Sequence, residues 1–332
     1  MKKQRNSSVE ILRFLLMLLI VVWHSLVHGA GLTSIGNIPN FGISYLPTLI
    51  ICSIAAVAVD CFMLISGYFG IRFSWKGLAN LVFSCLFYSV GISIVLGKFT
   101  PPNLQTILCP LTSYVWWFMS CYVIVYLLSG LIEKTIENVS KQKYLLLLLM
   151  SYIFLYLWHW IFGKIGGKPL GQPMLMITIY LIGRYCGKYG LPMFVEKRTL
   201  LTYVLSVLSI VAIIMVILFI PQLPKPLIWF VYTNGNPLVI LSAMSLFSLF
   251  LKRQYYNKWV NKLSGSVLSI YLITDFTFIR GMVNNRLYSY YQSDFLKYIF
   301  VIVVIMVACV AIDFIRKICF NYCFEKINTI FK

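Results

Sequence analysis

Apolar segments long enough to cross a membrane follow one another along the whole chain of 332 residues. A helix that spans the hydrocarbon core needs about 17 to 25 such residues. Because 60% of the residues are hydrophobic and 11% are charged, a soluble fold of this length could not bury the apolar surface. The sequence therefore predicts an all-α polytopic membrane protein, with about ten transmembrane helices in a single bundle and one domain over residues 1–332. The predicted helices lie near 8–28, 46–69, 76–97, 113–133, 143–162, 172–188, 199–220, 227–251, 264–283 and 295–319.

The basic residues predict how the chain crosses the membrane. With the N-terminus in the cytoplasm, twenty of the 28 Lys and Arg residues fall inside, seven fall outside and Arg13 lies within the first helix. This positive-inside bias places both termini in the cytoplasm. The net charge of +19 is spread over many short loops rather than gathered on one groove, which excludes nucleic acid as a partner.

The first apolar segment carries ionisable residues on one helix face. Arg13 and His24 are eleven residues apart, so at about 100° and 1.5 Å per residue they share a face and lie about 16 Å apart. His28 follows one turn later. Ionisable groups are expensive inside a bilayer, so this face is expected to turn toward protein or water and to form a site. Glu10, three residues before Arg13, is expected to neutralise it.

Two of these residues also have ordinary structural interpretations. Arg13 could extend to the inner membrane interface, as long basic side chains do. His24 could form a hydrogen bond between helices. The nine cysteines form no Cys-x-x-Cys pair and no Cys/His metal spacing, so neither a metal site nor a disulfide is predicted.

The opening VEILRFLLMLLIVVWHSLVHG and the segment VDCFMLISGYFGIR (59–72) resemble acyltransferase family 3. Members of this family are membrane proteins that O-acylate sugars of bacterial surface polysaccharides from an acyl-CoA donor. The shared features are Arg-x10-His in the first helix and Ser-Gly-Tyr at the end of the second, and later segments extend the resemblance over nearly the whole chain. One departure is that many relatives have a histidine after Tyr-Leu-Ile in the ninth helix, where this chain has Thr274 and Asp275.

The resemblance implies an O-acyltransferase, most simply an acetyltransferase, in a bacterial cell membrane. It implies acyl-CoA as co-substrate, a glycan or lipid-linked sugar as acceptor, contact with membrane lipid, and no tightly bound cofactor. His24 is the expected general base or acyl carrier, because a neutral imidazole serves either role. Arg13 is expected to act with it and to bind the CoA phosphates. The other residues expected to form the donor site are Arg72, Ser66, Gly67 and Tyr68, with Lys76 as a further candidate.

Several residues keep two interpretations. Asp60 either orients His24, as a carboxylate does in a catalytic triad, or pairs with another polar residue in the bundle. His28 either assists the site or is an ordinary interfacial residue. Asp275 and Asp313 are interpreted as structural or interfacial.

Two other functions are compatible with a polytopic chain. A transporter or flippase for a glycan or lipid intermediate would also carry charges within the membrane, but transporters often contain internal repeats, and the two halves of this chain show no clear repetition. A sensor or assembly partner without catalytic activity is the third possibility.

Overall fold

A computed structural model describes residues 5–31, 43–154 and 168–330; the side chains of 168–170 and 327–330 are not described. The described residues form helices joined by short connections and contain no strand. Two short 3-10 helices, Ile43–Tyr45 and Pro101–Asn103, accompany the α-helices. The α-helices are α1 Ser7–Val27, α2 Leu46–Ala55, α3 Val57–Phe69, α4 Trp75–Val95, α5 Leu104–Leu108, α6 Trp117–Glu137, α7 Lys141–Tyr152, α8 Lys168–Tyr189, α9 Met193–Lys197, α10 Thr199–Phe219, α11 Leu227–Tyr232, α12 Pro237–Leu251, α13 Lys258–Ser264, α14 Val267–Thr274, α15 Thr277–Ser293 and α16 Phe295–Ile330.

The predicted class is confirmed, and the count of ten helices proves approximate. In the described part of the chain, seven stretches are long and apolar enough to cross a membrane, or eight if the bent pair α13–α14 and α15 forms one span. The predicted helix 143–162 corresponds to α7, which has 12 residues; residues 155–162 lie outside the described part. The predicted helix 172–188 corresponds to α8, which contains Pro173 and is not among the apolar spans.

Helix α1 lies in the middle of the bundle, where it contacts α2, α3 and α12 to α16. The side chain of Asn6 caps its first turn by accepting a hydrogen bond from the Ser8 backbone N–H. The Ser7 hydroxyl donates to the side chain of Asn261, and the Ser7 N–H donates to the Tyr255 carbonyl. These bonds hold the start of α1 against the start of α13, so both helices begin at the same end of the bundle.

A sharp bend interrupts the helix that runs beside α1. Helices α13 and α14 follow α1 from its N-terminal end, and the chain then turns by 93° into α15. The bend includes Asp275, and it brings this residue to the level of His24. Helix α16 runs in the opposite direction, as two hydrogen bonds show. Tyr298 near its start bonds to Ser25 near the end of α1, and Lys317 further along bonds to Ser266 just before α14. The predicted single helix 264–283 is therefore two helices with different directions.

Helices α3 and α8 approach each other closely along a row of glycines. A Cβ added to Gly67 would collide with the backbone oxygen of Tyr180, and one added to Gly183 would collide with the backbone of Leu64. Small residues permit such contacts between helices in a membrane. Gly67, expected from the sequence to form part of the donor site, is thus required where α3 packs on α8.

Candidate functional site

Arg13 and His24 line the same cavity, which has a volume of about 320 Å³. Arg13 lies toward the N-terminal end of α1, and His24 lies near its C-terminal end. Between them the walls are mostly apolar and come from α1, α3, α6 and the bent helix. The lining residues include Met17, Ile20, Val59, Phe62, Ser66, Trp117, Phe118, Tyr122 and Tyr271. The shared helix face predicted from the spacing is therefore the wall of an elongated, largely apolar space.

A second cavity, of about 600 Å³, begins at the same end of α1. Arg5 and Arg13 line both cavities, so they lie between the two spaces. Tyr68 and Lys252 are on the wall of the second cavity only. The two spaces together connect a polar, charged region at the start of α1 with the apolar surroundings of His24.

The charge at the start of α1 is positive despite a buried carboxylate. Arg13 Nη1 donates to both oxygens of Glu10 at 2.9 Å, which is the ion pair expected from their spacing. Arg5 Nε lies 3.7 Å from the same carboxylate. Two arginines thus share one glutamate, and a positive charge is left for an anionic ligand. The Arg13 side chain is 26% exposed, so part of the guanidinium is open to the cavities.

His24 faces a carboxylate that comes from the bend after α14. Its Nδ1 lies 3.4 Å from Oδ1 of Asp275, and the exposed fractions of these side chains are 14% and 3%. Nδ1 has no hydrogen-bond partner among the described residues, whereas Oδ1 is also in contact with Arg280. Because Nδ1 is the buried ring nitrogen that faces Asp275, Nε2 is the nitrogen available to the cavity.

Arg280 binds the same carboxylate from the other side. Its Nε lies 2.7 Å from Asp275 Oδ1, and its Nη2 donates to Oδ2 at 3.2 Å. The guanidinium also donates to the Asp275 carbonyl oxygen through Nε and Nη2, at 3.2 and 3.0 Å. Arg280 therefore fixes both the backbone and the side chain of Asp275.

The ring of His28 lies 5.3 Å from that of His24, edge to face. Ligand atoms of His24, His28 and Asp275 lie within 4.8 Å of one another, a grouping that a metal ion could draw together. Arg280 occupies both oxygens of the carboxylate, and its positive charge opposes a cation at this place. The donor set therefore fits a hydrogen-bonding network better than a metal centre.

The other residues predicted for the donor site lie in different surroundings. Ser66 lines the first cavity, and its hydroxyl donates to the Phe62 carbonyl. Tyr68 lines the second cavity. Gly67 is buried against α8 and lines neither space, and Arg72 is exposed before α4 and also lines neither. The roles predicted for these residues in donor binding stay predictions.

The carboxylate beside His24 is not Asp60. Asp60 is fully buried, and its Oδ2 accepts a hydrogen bond of 2.8 Å from the backbone N–H of Gly235, between α11 and α12. Of its two interpretations, pairing within the bundle is the closer one, although the partner is a backbone N–H rather than another polar side chain. Asp275, interpreted from the sequence as structural or interfacial, contacts His24 instead. The signal in the sequence was a carboxylate within an apolar segment.

The comparison with protein families agrees with these observations. The model of acyltransferase family 3, described as an acyltransferase domain, matches residues 6–314, nearly the whole chain. The match includes α1 with Arg13 and His24, the bend with Asp275 and, except for Arg5, the residues that line the two cavities. No curated protein and no solved structure matches the chain. The chain belongs to acyltransferase family 3 and is a membrane acyltransferase.

Proposed function

We propose that the protein transfers an acetyl group from cytoplasmic acetyl-CoA to a hydroxyl of an extracytoplasmic or lipid-linked glycan in a bacterial cell membrane. The observation that carries this proposal is the single cavity that has Arg13 near one end and His24 near the other. A charged donor with a long, thin arm needs such a space, because its phosphates and its reactive thioester are far apart. No tightly bound cofactor is needed for this reaction.

The charges and the shape of the cavities support CoA as the donor. Arg5, Arg13 and Lys252 line the larger second cavity together with Glu10 and Glu196. The three basic groups outnumber the two carboxylates, so the cavity suits phosphates and a nucleotide. The first cavity leads from Arg13 along an apolar wall to His24 and suits the uncharged pantetheine arm. Arginine is well suited to the phosphate end because its planar fork donates two parallel hydrogen bonds.

His24 is the proposed general base. Its Nε2 takes the proton of the acceptor hydroxyl while the hydroxyl oxygen attacks the carbonyl carbon of the thioester. The carbon–sulfur bond breaks, the sulfur leaves with the bonding electrons, and the protonated imidazole returns its proton to the thiolate of CoA. In a two-step variant, Nε2 itself attacks the thioester carbon and displaces the CoA thiolate, and the acetylated imidazole then passes the acetyl group to the hydroxyl oxygen while the thiolate takes the hydroxyl proton. Both routes need a neutral imidazole with its free nitrogen toward the cavity.

The route of the donor can be tested in sealed inside-out vesicles that contain the protein and a lipid-linked glycan fraction. Labelled acetyl-CoA added to the exposed cytoplasmic face should yield labelled glycan, whereas acetyl-CoA enclosed in the lumen should not. Vesicles with the His24→Ala variant are the control. Labelled glycan formed when acetyl-CoA is present only in the lumen would refute the proposed donor route. Glycan movement across the membrane without any label transfer would favour a transporter.

A further inference from the structure

We infer that Asp275 is a positioning residue for His24, which holds the imidazole proton on Nδ1 and is itself held in place by Arg280. The catalytic consequence rests on the proposed role of His24 as base, whereas the position of the proton can be measured without any substrate.

The ring nitrogen that faces Asp275 has no other partner. His24 Nδ1 is buried 3.4 Å from Asp275 Oδ1 and makes no hydrogen bond with any described residue, whereas Oδ1 is also in contact with Arg280 Nε at 2.7 Å. A buried polar atom without a partner is costly, so a proton on Nδ1 that points at the carboxylate is the arrangement that satisfies this nitrogen. The separation is somewhat longer than a hydrogen bond, as is common for catalytic pairs before substrate binds.

Arg280 holds the carboxylate of Asp275 in place beside the imidazole ring. It lies at 2.7 Å from Oδ1, the oxygen that faces His24, and it binds the carbonyl of the same residue. The guanidinium also donates to the Val115 carbonyl at 3.3 Å, which ties the network to the chain just before α6. Because its backbone carbonyl and both carboxylate oxygens are bound by Arg280, Asp275 is fixed beside the ring of His24.

The arrangement selects one tautomer of His24. Which ring nitrogen of a neutral histidine carries the proton is set by the hydrogen bond that the other nitrogen makes or lacks. With the proton on Nδ1, the lone pair of Nε2 faces the cavity, where the acceptor hydroxyl must be deprotonated. When Nε2 takes that proton, the carboxylate stabilises the resulting imidazolium. Asp275 thus acts through His24 and touches neither substrate.

The chain makes a direct measurement practicable because it contains three histidines. Nitrogen NMR of protein labelled with ¹⁵N-histidine in lipid, assigned by comparison with His24→Ala, reports which nitrogen of His24 is protonated. We expect the proton on Nδ1 in the native protein. In Asp275→Ala we expect a shift toward the Nε2-protonated form, the intrinsic preference of an isolated imidazole. A native protein with the proton on Nε2, or an unchanged tautomer in Asp275→Ala, would overturn the inference.

Kinetics separates positioning from a merely structural role. Asp275→Asn keeps the shape but removes the charge, so turnover should fall at least about a hundredfold while acetyl-CoA affinity stays within about twofold. Arg280→Gln should lower turnover as well. Arg286→Gln is the matched control, because Arg286 lies on the same helix, is exposed and donates to Tyr290. Equal turnover in Asp275→Asn and the native protein would contradict the inference.

The two proposals can fail separately. A native protein with the proton on Nδ1 that transfers nothing from acetyl-CoA would refute the proposed function and leave the positioning contact in place. A native protein that transfers acetyl groups with the proton of His24 on Nε2 would refute the inference and leave the proposed function in place. If Asp275→Asn does not bind acetyl-CoA, the tautomer of the native protein still decides the question.

Discussion

At the scale of single residues, His24 and Arg13 differ in what surrounds them. His24 has a buried carboxylate on one ring nitrogen and an apolar space on the other side. Arg13 gives one nitrogen to Glu10 and lies between two cavities that also contain Arg5. The first environment favours proton transfer, and the second favours binding of an anion.

Replacement of His24 should affect turnover rather than folding. Because a general base or acyl carrier contributes about a hundredfold to ten-thousandfold, His24→Ala should lower turnover by at least about a hundredfold. Thermal unfolding in detergent and acetyl-CoA binding should stay close to those of the native protein. Near-normal transfer in His24→Ala would remove this residue from the mechanism.

Arg13→Lys keeps the charge and removes the fork-shaped donor. If Arg13 binds phosphate, this variant should bind acetyl-CoA more weakly by about tenfold, which corresponds to about 1.4 kcal/mol. Arg253→Lys is a suitable control, since Arg253 is exposed after α12 and lines neither cavity. Titration with labelled acetyl-CoA measures both affinities. Equal affinity in Arg13→Lys and the native protein would leave Arg13 as a residue that reaches the membrane interface.

Contacts within one helix could be predicted from the sequence, and contacts between distant segments could not. The Glu10–Arg13 pair and the common face of Arg13 and His24 follow from helix geometry alone. The contact of His24 with Asp275 joins residues far apart in the chain and depends on a bend that contains no proline. Asp60 and Asp275 are both buried within apolar segments, and only packing decides which one reaches the ring.

At the scale of helices, the bounds of α1, α4 and α10 agree with the apolar segments to within a few residues. The sequence did not predict the places where a helix breaks or bends. The predicted helix 227–251 is interrupted between α11 and α12, where Asp60 binds the backbone of Gly235. The mean hydropathy of the whole span stays high because the polar residues at 233–236 are averaged with the apolar residues on either side.

The contact of α3 with α8 gives a prediction about stability. Gly67→Ala places a methyl group against the Tyr180 backbone oxygen, so it should lower the free energy of unfolding by about 1–3 kcal/mol. Gly91→Ala in α4 is the control, because no atom lies within 4 Å of the added Cβ, and its effect should stay within about 1 kcal/mol. Denaturant titration in detergent measures both. An equally stable Gly67→Ala protein would show that the helices can separate without cost.

At the scale of the whole molecule, the helix directions indicate which loops should face the cytoplasm and which should face the outside. The start of α1 and residues 255–261 lie at one end of the bundle, and the turn from α15 to α16 lies at the other. In a cysteine-free background, Ser293→Cys and Thr100→Cys should react with an impermeant reagent added outside the cell. Tyr255→Cys and Lys141→Cys should react only after the membrane is opened. Labelling of position 141 in intact cells would contradict the predicted orientation.

The distance between Arg13 and His24 along α1 sets the length that a donor must have. Eleven residues of rigid helix, rather than a flexible side chain, set how far the thioester lies from the bound phosphates. A short thioester without the nucleotide, such as acetyl-N-acetylcysteamine, is too short to contact His24 and Arg13 at the same time. It should therefore be a poor donor whose use is the same in Arg13→Lys as in the native protein, while acetyl-CoA distinguishes the two. Donors are then selected by their length as well as by their charge.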